Sequence, residues 1–245
     1  MAPDAANPLA EATTLTATTA DQPTAPHQIK AQFTTITAAA PQTGSLVIKR
    51  KNGLLDGRWK VKEAEGTSRR GIGLVANGRL WFARIAEAAE DLIGVVHYTL
   101  EDGNLRALWS VADKGGPVRG LCYGIGTRVQ GAPDGFTGEF NVAYTNEKGG
   151  LEDPFTLTIG RHGPLDVLTW SSEGKVVFRG IGLTRGGTLG GAWLRGETVP
   201  DSVEIAVFPQ ALAAAAAAQG EWAGATGLRQ SEPTRPELVF GASAK

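Results

Sequence analysis

A histidine and the chain's single cysteine fall in strand-like sequence, His97 in GVVHYTL and Cys122 in GLCYGIG. A thiolate activated by an imidazole is an acyl-transfer nucleophile, and Asp91, Glu101 and Asp113 are available to orient the ring. The simpler reading is a half-buried histidine and an inert strand cysteine. A broader set of polar residues on alternating positions, His97, Tyr98, Cys122, Tyr123, Tyr144 and Arg179, is expected to line a ligand pocket. Arginine and tyrosine side chains inside a barrel suit a small anionic or aromatic ligand. That expectation fails if the interior is packed solid with Leu, Val and Trp.

Other chemistries lack their residues. The three histidines, His27, His97 and His162, are far apart, and neither H-x-x-x-H nor C-x-x-C occurs, so no metal is expected. There is no G-x-S-x-G and no P-loop. Gly71-Ile-Gly and its copies lack the G-x-G-x-x-G spacing and a following helix, so no dinucleotide is expected, nor any other cofactor. Glu63/Glu65 and Glu152/Asp153 read as solvated carboxylates at loops or strand ends.

The 245-residue chain carries a net charge of −1. It has no basic excess for nucleic acid, and Lys49-Arg50-Lys51 reads as a solvated strand end. One cysteine forms no intramolecular disulfide. No apolar run reaches the ~18 residues of a membrane helix, and residues 1–15 have no signal-peptide pattern, so the expected setting is cytoplasmic.

The elements that must position these residues are strands. Leu105, Ala107, Trp109 and Val111 alternate with Arg106, Leu108 and Ser110. Phe140, Val142 and Tyr144, and then Phe155, Leu157 and Ile159, alternate in the same way. Period two marks a sheet with one buried face. Turn signals separate the runs: Asn77-Gly78, Glu101-Asp102-Gly103, Lys148-Gly149-Gly150, Glu173-Gly174 and Arg185-Gly186-Gly187. Connections this short make neighbouring strands antiparallel.

A unit recurs. Gly71-Ile-Gly, Gly124-Ile-Gly and Gly180-Ile-Gly each follow a strand bearing a tryptophan, Trp59, Trp109 and Trp170, and Trp193 sits in a partial fourth copy. The Gly-x-Gly pair leaves one strand face bare, and an aromatic ring from a neighbouring strand is expected to cover it.

These features predict an all-β fold. The expected organisation is a disordered or extended arm at 1–44, a repeat-built antiparallel meander at 45–208, and an Ala-rich helix with a tail at 209–245. Within the arm, the run from Gln32 has the pattern of one docking strand. Two architectures fit the middle segment. One is a single closed barrel of roughly ten or more strands, the other two smaller barrels divided near Gly131–Gly135. The unbroken pattern through FTGEFNVAYTN favours the first. Arg84–Leu92 is a short helix candidate, and Pro209 with the alanine run to Gln219 is a stronger one, closed by Gly220.

Leu55-Asp-Gly-Arg-Trp-Lys-Val resembles the first-strand Gly-x-Trp signature of the calycins, the lipocalin and avidin group. The segment from Phe136 through Trp193 is similar to bacterial Gly-rich β-repeat proteins. The calycin resemblance implies a barrel that binds a small apolar ligand, with no catalytic residues to carry over. The function expected from sequence is thus a non-catalytic β-barrel binding module for a small apolar or anionic molecule. Two alternatives stand beside it. One is an assembly protein whose N-terminal arm contacts neighbouring subunits in a homo-oligomer. The other is an enzyme with its active site in the barrel lumen.

Overall fold

The computed structural model describes residues 28–36, 42–61, 68–86, 92–113, 115–163, 165–197, 203–210, 217–219, 221–224 and 235–240. Five strands come first: β1 (Gln28–Ile36), β2 (Gln42–Lys51), β3 (Leu54–Val61), β4 (Ser68–Ala76) and β5 (Arg79–Ala86). Eight follow: β6 (Leu92–Glu101), β7 (Asn104–Asp113), β8 (Cys122–Gln130), β9 (Gly138–Tyr144), β10 (Phe155–His162), β11 (Leu165–Ser172), β12 (Lys175–Arg185) and β13 (Thr188–Arg195). The last four are β14 (Glu204–Pro209), β15 (Ala217–Gln219), β16 (Glu221–Gly224) and β17 (Arg235–Phe240).

The fold is all-β, as the alternation predicts, but it is not one barrel of ten or more strands. Strands β6 to β13 pair in chain order and close on themselves, β13 returning to β6 with Trp193 opposite Gly94. This is an eight-stranded up-and-down barrel. The remaining strands form a separate nine-stranded sheet in the order β15-β17-β1-β2-β3-β4-β5-β14-β16. The break falls at residues 86–92 and 195–203, on either side of the barrel, and not near Gly131–Gly135. Strand β5 does not pair with β6 across its short connection. It pairs with β14, Ala83 opposite Ile205, so the barrel is inserted between two neighbours of the larger sheet.

The hairpins follow the turn chemistry. Asn77-Gly78 and Asp102-Gly103 have positive φ at both central positions (48° and 68°, 52° and 78°), the type I′ geometry that matches strand twist.

Three apolar cores result. One fills the closed barrel, with Tyr98, Leu105, Phe140, Leu157 and Leu168 among its members. Another lies inside the curved nine-stranded sheet around Trp59, Phe82 and Phe208. The third is the seam between the two units, where Ile72, Trp81 and Ile205 of the sheet meet Val95, Ile181 and Leu194 of the barrel. Arg70 reinforces the seam by donating to the carbonyl of Asp113 at 3.0 Å, and Arg185 of β12 pairs with Glu221 of β16.

The tryptophan and Gly-Ile-Gly strands pair in one register three times. Trp59 lies opposite Arg69, Trp109 opposite Cys122 and Trp170 opposite Phe178, in each case two residues before the first glycine. The expected covering ring is tryptophan only at Gly71, which lies under Trp59. At Gly124 the ring is Tyr144, and Gly180 instead faces Trp193 across a strand pair.

The terminal expectations change. Gln28–Ile36, within the segment read as an arm, is β1, paired with β2 and β17, so the docking strand starts before Gln32. Residues 1–27 lie outside the described residues. The C-terminal helix is not found: Pro209 ends β14 and Ala217–Gln219 pair with β17, while residues 211–216 lie outside the described residues. Arg84 to Ala86 belong to β5 and Leu92 to β6, so the short helix candidate is also corrected at both ends.

Candidate functional site

One end of the barrel is shut. Arg128 lies over the Phe140 ring at 4.4 Å and donates to the carbonyls of Gly103 and Gly135 at 2.8 and 2.6 Å. Beside it the buried Asp166 accepts from Arg161 Nη1 at 3.0 Å and from Thr184 Oγ1 at 2.7 Å. Above this end Leu105, Val142, Leu157 and Leu168 fill the lumen.

The other end is open, with a cavity of about 180 Å³. Its walls are aromatic: Trp109, Tyr144, Phe155, Trp170, Phe178 and Trp193. The rings meet edge to face, Phe178 with Trp193 at 5.0 Å and Trp109 with Tyr144 at 5.8 Å. Period-two alternation places each of these on the inner face. Glycine explains why they do not fill the lumen. A Cβ on Gly94 would overlap the Trp193 ring, and one on Gly124 would meet the Tyr144 ring. Both rings therefore lie against bare wall, which leaves space at the axis.

A polar thread joins two of these wall residues, Trp170 and Tyr144, to Tyr98. Trp170 Nε1 donates to Tyr144 Oη at 2.9 Å, and Tyr144 Oη bonds Tyr98 Oη at 2.6 Å. Burial pushes the Tyr144 phenol up to about 12 and raises that of Tyr98 well above its usual value. Both hydroxyls are neutral at physiological pH. The rim carries Arg119, Glu152 and Arg195. Arg119 is held by Asp113 at 2.6 Å, whereas Arg195 is exposed and makes no ion pair among the described residues.

The six expected site residues separate by face. Tyr98 and Tyr144 point into the barrel and bond to each other. Cys122 is buried opposite Trp109, on the inner face. Burial pushes its thiol up to about 11, so it is not a thiolate near neutral pH. Tyr123 is exposed on the outside. Arg179 lies on the outer face of β12, its neighbours Phe178 and Gly180 facing inward. His97 is also on the outer face, at the seam, its ring 5.5 Å from that of Trp81. Burial lowers its pKa to about 4.

The Cys-His pair is therefore not formed, because the barrel wall separates the two side chains and β7 stands between their strands. Among the described residues no group of three or more His, Cys, Asp or Glu is placed to hold a metal. The aromatic walls were missed as site residues. The signal for them in the sequence is the set of three tryptophan-bearing strands, with Trp109, Trp170 and Trp193, in one meander.

Fold and site together define a closed antiparallel β-barrel, plugged at one end and opening at the other into an aromatic cavity. No protein-family model and no curated protein matches the chain. Among solved structures, a porin-like protein from Bacteroides uniformis matches with 12% sequence identity and a TM-score of 0.21, covering 88% of this chain and 96% of that chain. At that TM-score the likeness carries no argument about fold or role.

Proposed function

We propose that the eight-stranded barrel is a non-catalytic binding module for a small, mainly apolar ligand that carries an anionic group. The aromatic cavity at the open end is the observation that carries this reading. Concave apolar space with a few polar groups is what small-molecule sites have in common. The volume limits the ligand to about one ring with a short substituent, since an apolar cavity of about 150 Å³ accepts benzene. Arg195 and Arg119 at the rim favour an acidic group facing solvent. Glu152 on the same rim opposes a second negative charge there.

The closed eight-stranded meander supports the calycin-like part of this reading. The Gly-x-Trp motif does not add to it, because Gly57 and Trp59 lie on β3 of the other sheet. The outward residues of the barrel wall, Thr127, Asn141 and Thr158, are exposed and polar while the inner face is apolar. A membrane-spanning barrel has the opposite arrangement, so this supports an aqueous setting.

The test is native mass spectrometry of the protein from its own host, followed by titration of tryptophan fluorescence with benzoate and phenylacetate. Saturable binding, weakened in Arg195→Met, is the expected result. Failure of any single-ring acid to bind, with no retained molecule in the native spectrum, overturns the reading.

A further inference from the structure

Resting on the binding reading above, we infer that the ligand presents a hydrogen-bond acceptor, of the carbonyl or ether class, to the Tyr144 hydroxyl at the inner end of the cavity. The inference comes from counting protons. Tyr98 and Tyr144 carry two O–H protons, and the 2.6 Å bond between them uses one. Trp170 contributes an N–H donor and no acceptor, and its bond ends on Tyr144 Oη. One hydroxyl proton is left over.

There are two arrangements. If Tyr144 donates to Tyr98, the spare proton is on Tyr98. That residue is fully buried and does not line the cavity, and its other polar neighbour, the Trp170 N–H, is itself a donor and cannot accept the proton. A buried donor without an acceptor has lost its water and gained no partner in exchange. If Tyr98 donates to Tyr144, then Tyr144 Oη accepts from both Tyr98 and Trp170, and its own proton is the spare one. Tyr144 lines the cavity, so this proton has somewhere to go. The second arrangement removes the penalty once the cavity holds an acceptor. Two donors converging on Tyr144 Oη also polarise its O–H and strengthen it as a donor. With burial holding the phenol neutral, the group donates across the physiological range.

The ligand class is accordingly a single aromatic ring with an acid at the rim end and an acceptor at the inner end. Two probes of nearly equal shape separate the acceptor from mere bulk: 4-acetylbenzoate and 4-isopropylbenzoate. Wild-type protein is expected to bind the acetyl compound about tenfold more tightly, the range of one neutral hydrogen bond. Tyr144→Phe loses that preference, read as the ratio of its affinities for the two probes. Tyr98→Phe keeps the preference, because the Tyr144 proton stays free. On the wild-type protein alone, the ketone stretch of bound 4-acetylbenzoate moves to lower frequency. Equal binding of both probes by wild type, an unshifted ketone band, or a preference surviving Tyr144→Phe overturns the acceptor assignment and leaves the binding reading standing. If neither probe binds, both fall.

Discussion

The Trp81 indole of β5 lies flat on Gly190 of β13, so that a single methyl added to Gly190 would overlap its ring. This contact joins the two units of the molecule. Trp81 points away from its own sheet's interior, is fully buried, and tilts against His97 of β6. Gly190 has no positive φ, so its absence of a side chain serves close approach and not backbone conformation.

Gly190→Ala is therefore expected to destabilise the protein by about 1–3 kcal/mol through overpacking at the seam. Ala192→Gly, on the same outer face two residues along, provides a control that leaves this contact alone. Urea denaturation followed by tryptophan fluorescence measures the difference. A Gly190→Ala protein with an unchanged midpoint would mean that the seam adapts freely.

His97 gives the seam a pH dependence. Burial lowers its pKa from 6.5 to about 4 in the folded chain. Between these values the unfolded chain binds more protons than the folded one, so stability rises with pH through this window. The contribution is complete above about pH 6.5 and is lost as pH falls to about 4, a span worth about 3 kcal/mol. His97→Leu should flatten the stability profile between pH 4.5 and 6.5. A variant profile as steep as the wild-type one would assign the slope to other groups.

The buried tyrosine pair should respond asymmetrically. Tyr144→Phe strands the Tyr98 hydroxyl proton, at about 1–3 kcal/mol, and leaves Tyr98 Oη as the acceptor for the Trp170 N–H. Tyr98→Phe removes one bond, leaves no protein donor stranded, and should cost about 1 kcal/mol. In the Tyr144→Phe background, Tyr98→Phe deletes a stranded proton and also the remaining acceptor of Trp170, so its effect should differ from its effect in the wild-type protein. A double-mutant cycle by chemical denaturation reads this coupling, and additive effects would contradict it.

Legibility from sequence divides along physical lines. Local periodicity is encoded residue by residue, so the inner face of β7 (Leu105, Ala107, Trp109, Val111) and the type I′ turns were readable. Pairing over long range is not. Nothing in the few residues between Ala86 and Leu92 distinguishes a hairpin from a departure into another sheet, because the choice depends on β14 more than a hundred residues later. One signal was present. TLGGAWL of β13 is buried on both faces, and a strand covered on both sides needs a second layer beyond the barrel. At Ala217–Gln219 pairing with β17 outweighs the helix propensity of alanine. Polar residues at alternating positions do not mark the site, because aromatic side chains form its walls. Face, not residue type, separates Tyr144 from Tyr123.

The plugged end of the barrel supplies the remaining prediction. Asp166 is 2% exposed, while its partner Arg161 is largely in solvent. Removing the arginine therefore leaves a buried carboxylate with, among the described residues, Thr184 as its one side-chain donor, whereas removing the carboxylate leaves a cation that water can hydrate. Arg161→Met should cost about 1–3 kcal/mol on that account. Arg161→Lys should recover only part, because the guanidinium holds the carboxylate through Nη1 while Nε donates to the carbonyl of Gly163 at 2.9 Å, a pairing a single ammonium does not reproduce. The double variant Arg161→Met with Asp166→Asn should be more stable than Arg161→Met alone, since a neutral amide is cheaper to bury than an unpaired charge. Thermal denaturation of the four proteins at neutral pH checks the order. If the double variant proves the least stable, the pair stabilises the plug by its attraction, and the desolvation argument is wrong.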